Sequence, residues 1–316
     1  MSNRTKLIIL TVMSAVLVIV FLFGSAGSNW DYILPRRTTK ILAIALTGGV
    51  IAFSTVIFQT ITNNRILTPS IIGLDSLYLL IQTFIIFVFG SNSVMVLNKN
   101  FNFILSVGMM VLFAGVLYKL LFKQSGKNIY FLLLVGLIFG TFFESLSTFM
   151  QVLIDPNEFM IVQNKMFASF NNVNTDLLAI SFVLVLLIVI YFWRFSKYLD
   201  VMALGKEQAI NLGVDYDYVV KRMLVIIAVL VSISTALVGP ITFLGLLVAN
   251  VAHEFLKTYR HRYLIVGSIL ISVVALVGGQ LIVERVFTFS TTLSVIVNFV
   301  GGVYFIYLLL KESKAW

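Results

Sequence analysis

Ionisable side chains inside apolar runs are where chemistry would sit in this sequence, and there are few of them. Asp75 and Glu144 fall in or near the ends of such runs, Glu284 and Arg285 lie at the boundary of another, and His253 is close to the end of a fourth. An ionisable group inside a membrane span marks a functional site by default, so Glu144 reads either as a group hydrogen-bonded within a helix bundle or as one reaching a water-filled pathway. The set is sparse for an ion-coupled secondary transporter, though that class stays open as the alternative. Catalysis needs a nucleophile with a base, paired carboxylates or clustered metal ligands, and none occurs at usable spacing in a chain with no cysteine and two histidines. No catalytic residue and no metal site is expected. The pairs Gly126-Lys127 and Gly205-Lys206 run into Asn128 and Glu207, not the Ser or Thr of a phosphate-binding loop. The chain is therefore expected to be no enzyme and to bind no cofactor; any ATP and magnesium that power it belong to a separate chain.

The elements around these groups are membrane spans. With 60% hydrophobic residues, 11% charged residues and a mean hydropathy of +1.04, the chain is far greasier than a soluble domain, of which about a quarter is charged. Apolar runs comparable to the ~20 residues that cross a bilayer recur at Leu7 to Phe23, Ile41 to Ile61, Ile71 to Phe89, Phe101 to Phe122, Ile129 to about Met150, and Leu177 to Trp193. Beyond these, Met223 to Phe255 is broken at Gly239-Pro240 into two short spans, followed by Tyr263 to Val283 and Leu293 to Leu310. The expectation is an all-α integral membrane protein of about ten transmembrane helices, forming one domain over residues 1–316. Most of the 22 Lys and Arg residues fall in alternate loops, which by the positive-inside rule puts both termini in the cytoplasm. Their scatter excludes a nucleic-acid surface, despite the net charge of +9.

Two polar segments interrupt the pattern. Residues 197–222, KYLDVMALGKEQAINLGVDYDYVVKR, mix charges with Leu204, Ile210 and Leu212, too many apolar groups for a linker. Short helices are expected on the cytoplasmic face between spans six and seven, with Gly213 as a left-handed cap and Asp215 capping a segment that starts at Tyr216. Residues 155–176 lie on the opposite side and place Phe159, Met160, Val162, Met166, Phe167 and Phe170 on one broad face, which predicts a helix lying on the outer surface.

At the first of these segments the sequence resembles a known family. Glu207 to Gly213, EQAINLG, resembles the EAA-x3-G cytoplasmic loop of ABC importer permeases; ALGKEQAINLGVD together with GPITFLGL from Gly239 to Leu246 looks like the FecCD family of iron-siderophore and cobalamin permeases. Leu34-Pro35-Arg36, Gln59, Asn64 and Pro69-Ser70-Ile71-Ile72-Gly73 resemble further family motifs, so the likeness runs from about Leu34 to the C-terminus. Ile33, Asn64-Arg65 and Ala249-Asn250 depart from it. The resemblance implies the permease subunit of an importer in a bacterial cell membrane, moving an iron-siderophore complex, with haem or cobalamin as alternatives. Its implied partners are a cytoplasmic ATPase dimer, a second permease, with a heterodimer favoured over a homodimer, and an extracellular or periplasmic binding protein, all in a lipid setting. Carried over by position, Ala203, Leu204, Gly205, Glu207, Ala209, Leu212, Gly213 and Asp215 would contact the ATPase. Arg36, Arg37 and Arg285 would dock the binding protein. Ser125, Gly126, Lys127 and Asn128 would form a gate loop, and Glu144, Phe167 and Phe170 would border the pathway.

Overall fold

The structure, a computed structural model, describes residues 2–24, 29–122, 129–289 and 291–313. Among these every regular element is helical: α1 (Asn3–Phe23), α2 (Trp30–Thr62), a 3-10 turn (Pro69–Ile72), α3 (Leu74–Phe89), α4 (Val94–Leu97), α5 (Lys99–Phe122), α6 (Ile129–Leu153), α7 (Pro156–Met166), α8 (Thr175–Trp193), α9 (Ser196–Met202), α10 (Lys206–Asn211), α11 (Tyr216–Val238), α12 (Leu244–Leu256), α13 (His261–Arg285) and α14 (Leu293–Ser313). Eight of them are long and apolar enough to cross a membrane, and α3 and α12 are shorter apolar helices. This is a multi-pass membrane protein. The gate-loop residues Ser125 to Asn128 lie outside the described residues.

Every expected span has a helix, with three differences of extent. α2 begins at Trp30 instead of Ile41 and carries Pro35 inside its N-terminal part, so residues 30–40, which mix aromatic, aliphatic and charged side chains, prolong the span as helix. The broken run after the polar segment is not two short spans: Tyr216 to Arg222 already forms the first turns of the 23-residue α11, and only α12, at 13 residues, is short. The outer surface helix covers Pro156–Met166 only. Asp155 starts it by accepting the Asn157 N–H, and at Phe167 the backbone turns extended. Ser169 then donates its backbone N–H to Val238, and Asn174 caps α8.

α2 is the most buried of the long helices and joins two cores. On one side Phe53, Ile57 and Phe58 pack with α3, α5, α6 and α11; on the other Ile41, Ile44 and Ala52 pack with α1, α12, α13 and α14. Backbone meets backbone closely between the turn before α3 and the middle of α6. Gly73 has φ +84°, which Gly adopts freely, and a Cβ there would come within 3.0 Å of Gly136 O and of the Gly140 backbone. A Cβ on Gly136 would sit 2.9 Å from Ile71 O and Ile72 Cα. α3 therefore starts against the middle of α6, part-way along the bundle.

Candidate functional site

Side-chain contacts sort the polar residues to two opposite ends. At one end Lys6 donates to Phe255 O (2.6 Å), Tyr216 to Ile61 O (3.1 Å), and Thr60 meets His261 (2.7 Å). This end carries the α9–α10 knuckle. Gly205 (φ +100°) and Gly213 (φ +84°) bracket α10, and the Gly213 N–H reaches Ile210 O at 2.9 Å, as a left-handed cap should. Asp215 accepts the Tyr218 N–H at 3.2 Å and so caps α11 itself. Ala209, Met202 and Leu199 are buried and fasten the knuckle to the bundle. Ala203, Leu204, Glu207, Ile210, Leu212, Gly213 and Asp215 are exposed, so that Leu204, Ile210 and Leu212 present apolar side chains to the outside among charges.

One constellation escapes local sequence patterns. Asp200 of α9 accepts both the backbone N–H (2.9 Å) and Nδ1 (2.6 Å) of His261, whose Nε2 meets Thr60 Oγ. A single imidazole thus ties the knuckle to the start of α13 and the end of α2. These residues lie 61 and 201 positions from His261 along the chain, and no spacing rule joins them.

The opposite end collects the start of α2, the ends of α1 and α13, and the 155–176 segment. Arg37 Nη1 donates to Phe21 O, Leu22 O and Gly24 O at 2.8–3.0 Å, closing the carbonyl end of α1. Its Nη1 thereby serves as a cap for α1. Lys40 and Glu284 form an ion pair at 2.6 Å, with Gln280 also donating to Glu284. Arg36 and Arg285 are exposed, Arg36 stacking 4.2 Å over the Tyr32 ring. In α7, Val162 is buried while Met160 is exposed, and burial, with the Lys99 charge as the lesser cause, lowers the pKa of Lys165. The amphipathic face is thus narrower than the pattern predicts. Phe167 is part-exposed, whereas Phe170 is buried against the Val238 and Ile241 region and lines no open surface.

Between the ends, Glu144 is exposed on α6 together with Thr141, Ser145 and Thr148, far from the helix termini. Asp75 is buried at the start of α3, where it accepts from Thr235 Oγ (3.1 Å) and from Ser70. A cavity of about 20 Å³ adjoins it, lined by Thr55, Thr68 and Thr242, room for about one water. Replacing Asp75 by Leu strands the Thr235 and Ser70 hydroxyls and is expected to cost about 1–3 kcal/mol, whereas Asp75→Asn keeps an acceptor and should cost much less. Thermal unfolding in detergent measures both, and equal losses would refute the hydrogen-bonding role. Among the described residues no His, Asp and Glu cluster could hold a metal ion.

A family model described as "FecCD transport family" matches residues 4–311. The petrobactin import system permease protein YclO of Bacillus subtilis is 66% identical over 316 residues, covering 100% of both chains. The petrobactin import system permease protein FatC of Bacillus anthracis is 37% identical over 89% of this chain and 79% of its own. Among solved structures, an inward-facing ABC transporter of the metal-chelate type superposes with a TM-score of 0.84 at 23% identity, covering 98% of this chain and 100% of that one.

Proposed function

Because this chain belongs to the FecCD transport family, we propose that it is the permease subunit of an ATP-driven importer for an iron-siderophore complex, with iron-loaded petrobactin as the first ligand to test. The observation that carries this reading is the end-to-end identity of 66% to a petrobactin import permease. The exposed knuckle supports it as the ATPase contact. In this reading all ten helices from α1 to α14, less α4, α7, α9 and α10, cross a bacterial cell membrane, with the knuckle and both termini in the cytoplasm. ATP and magnesium reside in a cytoplasmic ATPase pair. Closure of that pair moves α10, and the pathway switches between outward and inward access, a two-state element biased by its ligands.

The exposed flank of α6 supports a second permease chain. A carboxylate deep in a span is costly against lipid and faces a partner or a water-filled path, so Glu144 lies at the seam between two permeases, with Phe167 near its mouth. The partner is a related second permease rather than another copy, and co-purification of differently tagged copies would reveal a homodimer instead. Reconstitution with the ATPase and a binding protein should give uptake that needs ATP. Uptake driven by an ion gradient without ATP would overturn the reading.

Arg36 and Arg285 are the proposed sockets for acidic groups of the binding protein, while Arg37 holds the end of α1 beside them. Charge pairs of this kind mainly set orientation and on-rate. Arg36→Glu with Arg285→Glu is expected to slow association about tenfold or more at low salt, with the difference shrinking as salt rises. Equal on-rates at low salt would remove the assignment.

A further inference from the structure

A cavity of about 1170 Å³ opens between α8 and α13, with α2 as its floor. Its walls along the helices are apolar, with Leu46 and Phe53 from α2, Phe182 and Val189 from α8, and Ile269 from α13. It extends from Thr39 and Thr175 at one end to Lys197, Asp200, His261 and Arg262 at the other. Along α8 the distance from Thr175 to Trp193 is about 27 Å at ~1.5 Å per residue, close to the ~30 Å of a bilayer's hydrocarbon layer.

The two ends differ. At the knuckle end Asp200 and His261 are bound to each other, while Lys197 and Arg262 are exposed and join no ion pair among the described residues. The mouth therefore keeps a net positive charge where the cleft meets the membrane surface, two cations against the single half-exposed Asp200 carboxylate. An apolar cleft at this depth favours hydrocarbon over water, and a basic pocket between transmembrane helices matches anionic headgroups. We propose that the cleft is a binding site for an anionic phospholipid, with one acyl chain along α2 between α8 and α13 and the headgroup phosphate on Lys197 and Arg262. The inference rests on the membrane embedding and not on which ligand is transported. It also places a lipid against Ser196 and Lys197, at the root of the knuckle that the Asp200–His261 pair ties down.

Trp193 lines this cleft and reports on it. The full chain carrying Trp30→Phe and Trp316→Phe, which leave Trp193 as the single tryptophan, is placed in phosphatidylcholine bilayers containing small amounts of brominated phosphatidylglycerol or brominated phosphatidylcholine. Half-maximal quenching is expected at about a tenfold lower mole fraction of the phosphatidylglycerol probe, from two basic contacts. Lys197→Ala with Arg262→Ala should abolish that preference, and Gly49→Phe, which fills the floor, should weaken quenching by either probe. Inorganic phosphate should not relieve it. Equal quenching by the two probes in the parent, a preference untouched by the double substitution, quenching by both probes unaltered by Gly49→Phe, or a preference abolished by inorganic phosphate would each overturn the lipid assignment.

Discussion

Gly213→Pro is expected to abolish ATP-driven uptake while the protein remains in the membrane. The backbone at Gly213 has φ +84° and its N–H is bonded to Ile210 O; proline fixes φ near −65° and has no N–H, a mismatch of about 3 kcal/mol or more. Proline also disfavours helical backbone at the residue before it, and Leu212 is at φ −84°, ψ 8°. The end of α10 must therefore be rebuilt, carrying Leu212 away from Leu204 and Ile210. At 1.4 kcal/mol per factor of ten, the ATPase-competent geometry falls about 100-fold, and uptake and ATPase co-purification should fall with it. Gly213→Ala is the control. A Cβ there meets nothing within 4 Å, so alanine adds only left-handed strain of about 1–2 kcal/mol and should keep measurable uptake. Normal uptake by the proline variant would dismiss the knuckle as the transmission contact.

Gly136→Leu should prevent folding altogether. A Cβ at this position would press on Ile71 O and Ile72 Cα at 2.9 Å, and both are backbone atoms that no rotamer change can move. Overpacking a well-packed core costs about 1–3 kcal/mol even when side chains can yield; here α6 would have to leave the turn that starts α3. Gly140 is the internal comparison, because its Cβ would lie 3.4 Å from Gly73 Cα and 3.8 Å from Ser76 Oγ, ordinary contact distances. Gly140→Ala is expected to unfold close to the parent temperature and Gly136→Ala well below it, with Gly136→Leu giving no monodisperse protein in detergent. A folded, normally melting Gly136→Leu would contradict the packing.

These two sites also show what a sequence can disclose. Gly213 and Asp215 were legible because capping is local: a glycine after an apolar residue and an aspartate three residues before its N–H partner announce their roles within a few positions. Long apolar runs announced the helices for the same reason. Gly136 was only half legible: with Gly140 it makes a G-x-x-x-G pair in an apolar run, which marks a close helix approach, but its partners Ile71 and Ile72 are distant in sequence and the pattern does not name them. Arg37 and Arg36 are adjacent and chemically identical, yet one closes α1 and the other stacks on Tyr32 at the surface; only the position of α1 separates them. The role of His261 has no local signature because it depends on Asp200 and Thr60, 61 and 201 positions away along the chain. Six apolar residues at helical spacing over 155–176 do not reveal that the helix stops at Met166, because what stops it is distant: Phe170 is drawn into the core and the chain is pinned to Val238 by a backbone bond.

The brevity of α12 has a consequence for how the molecule is made. Thirteen residues rise about 20 Å against the ~30 Å of hydrocarbon, so α12 leaving the ribosome is too short to settle across a bilayer unaided. Its permanent neighbours are α1 and α2, already synthesised, and α13 and α14, not yet synthesised. Biogenesis of this last third must then wait: α12 lodges only once α13 follows it, and a chain ending after Leu256 would present the quality-control machinery with a stranded, half-inserted segment.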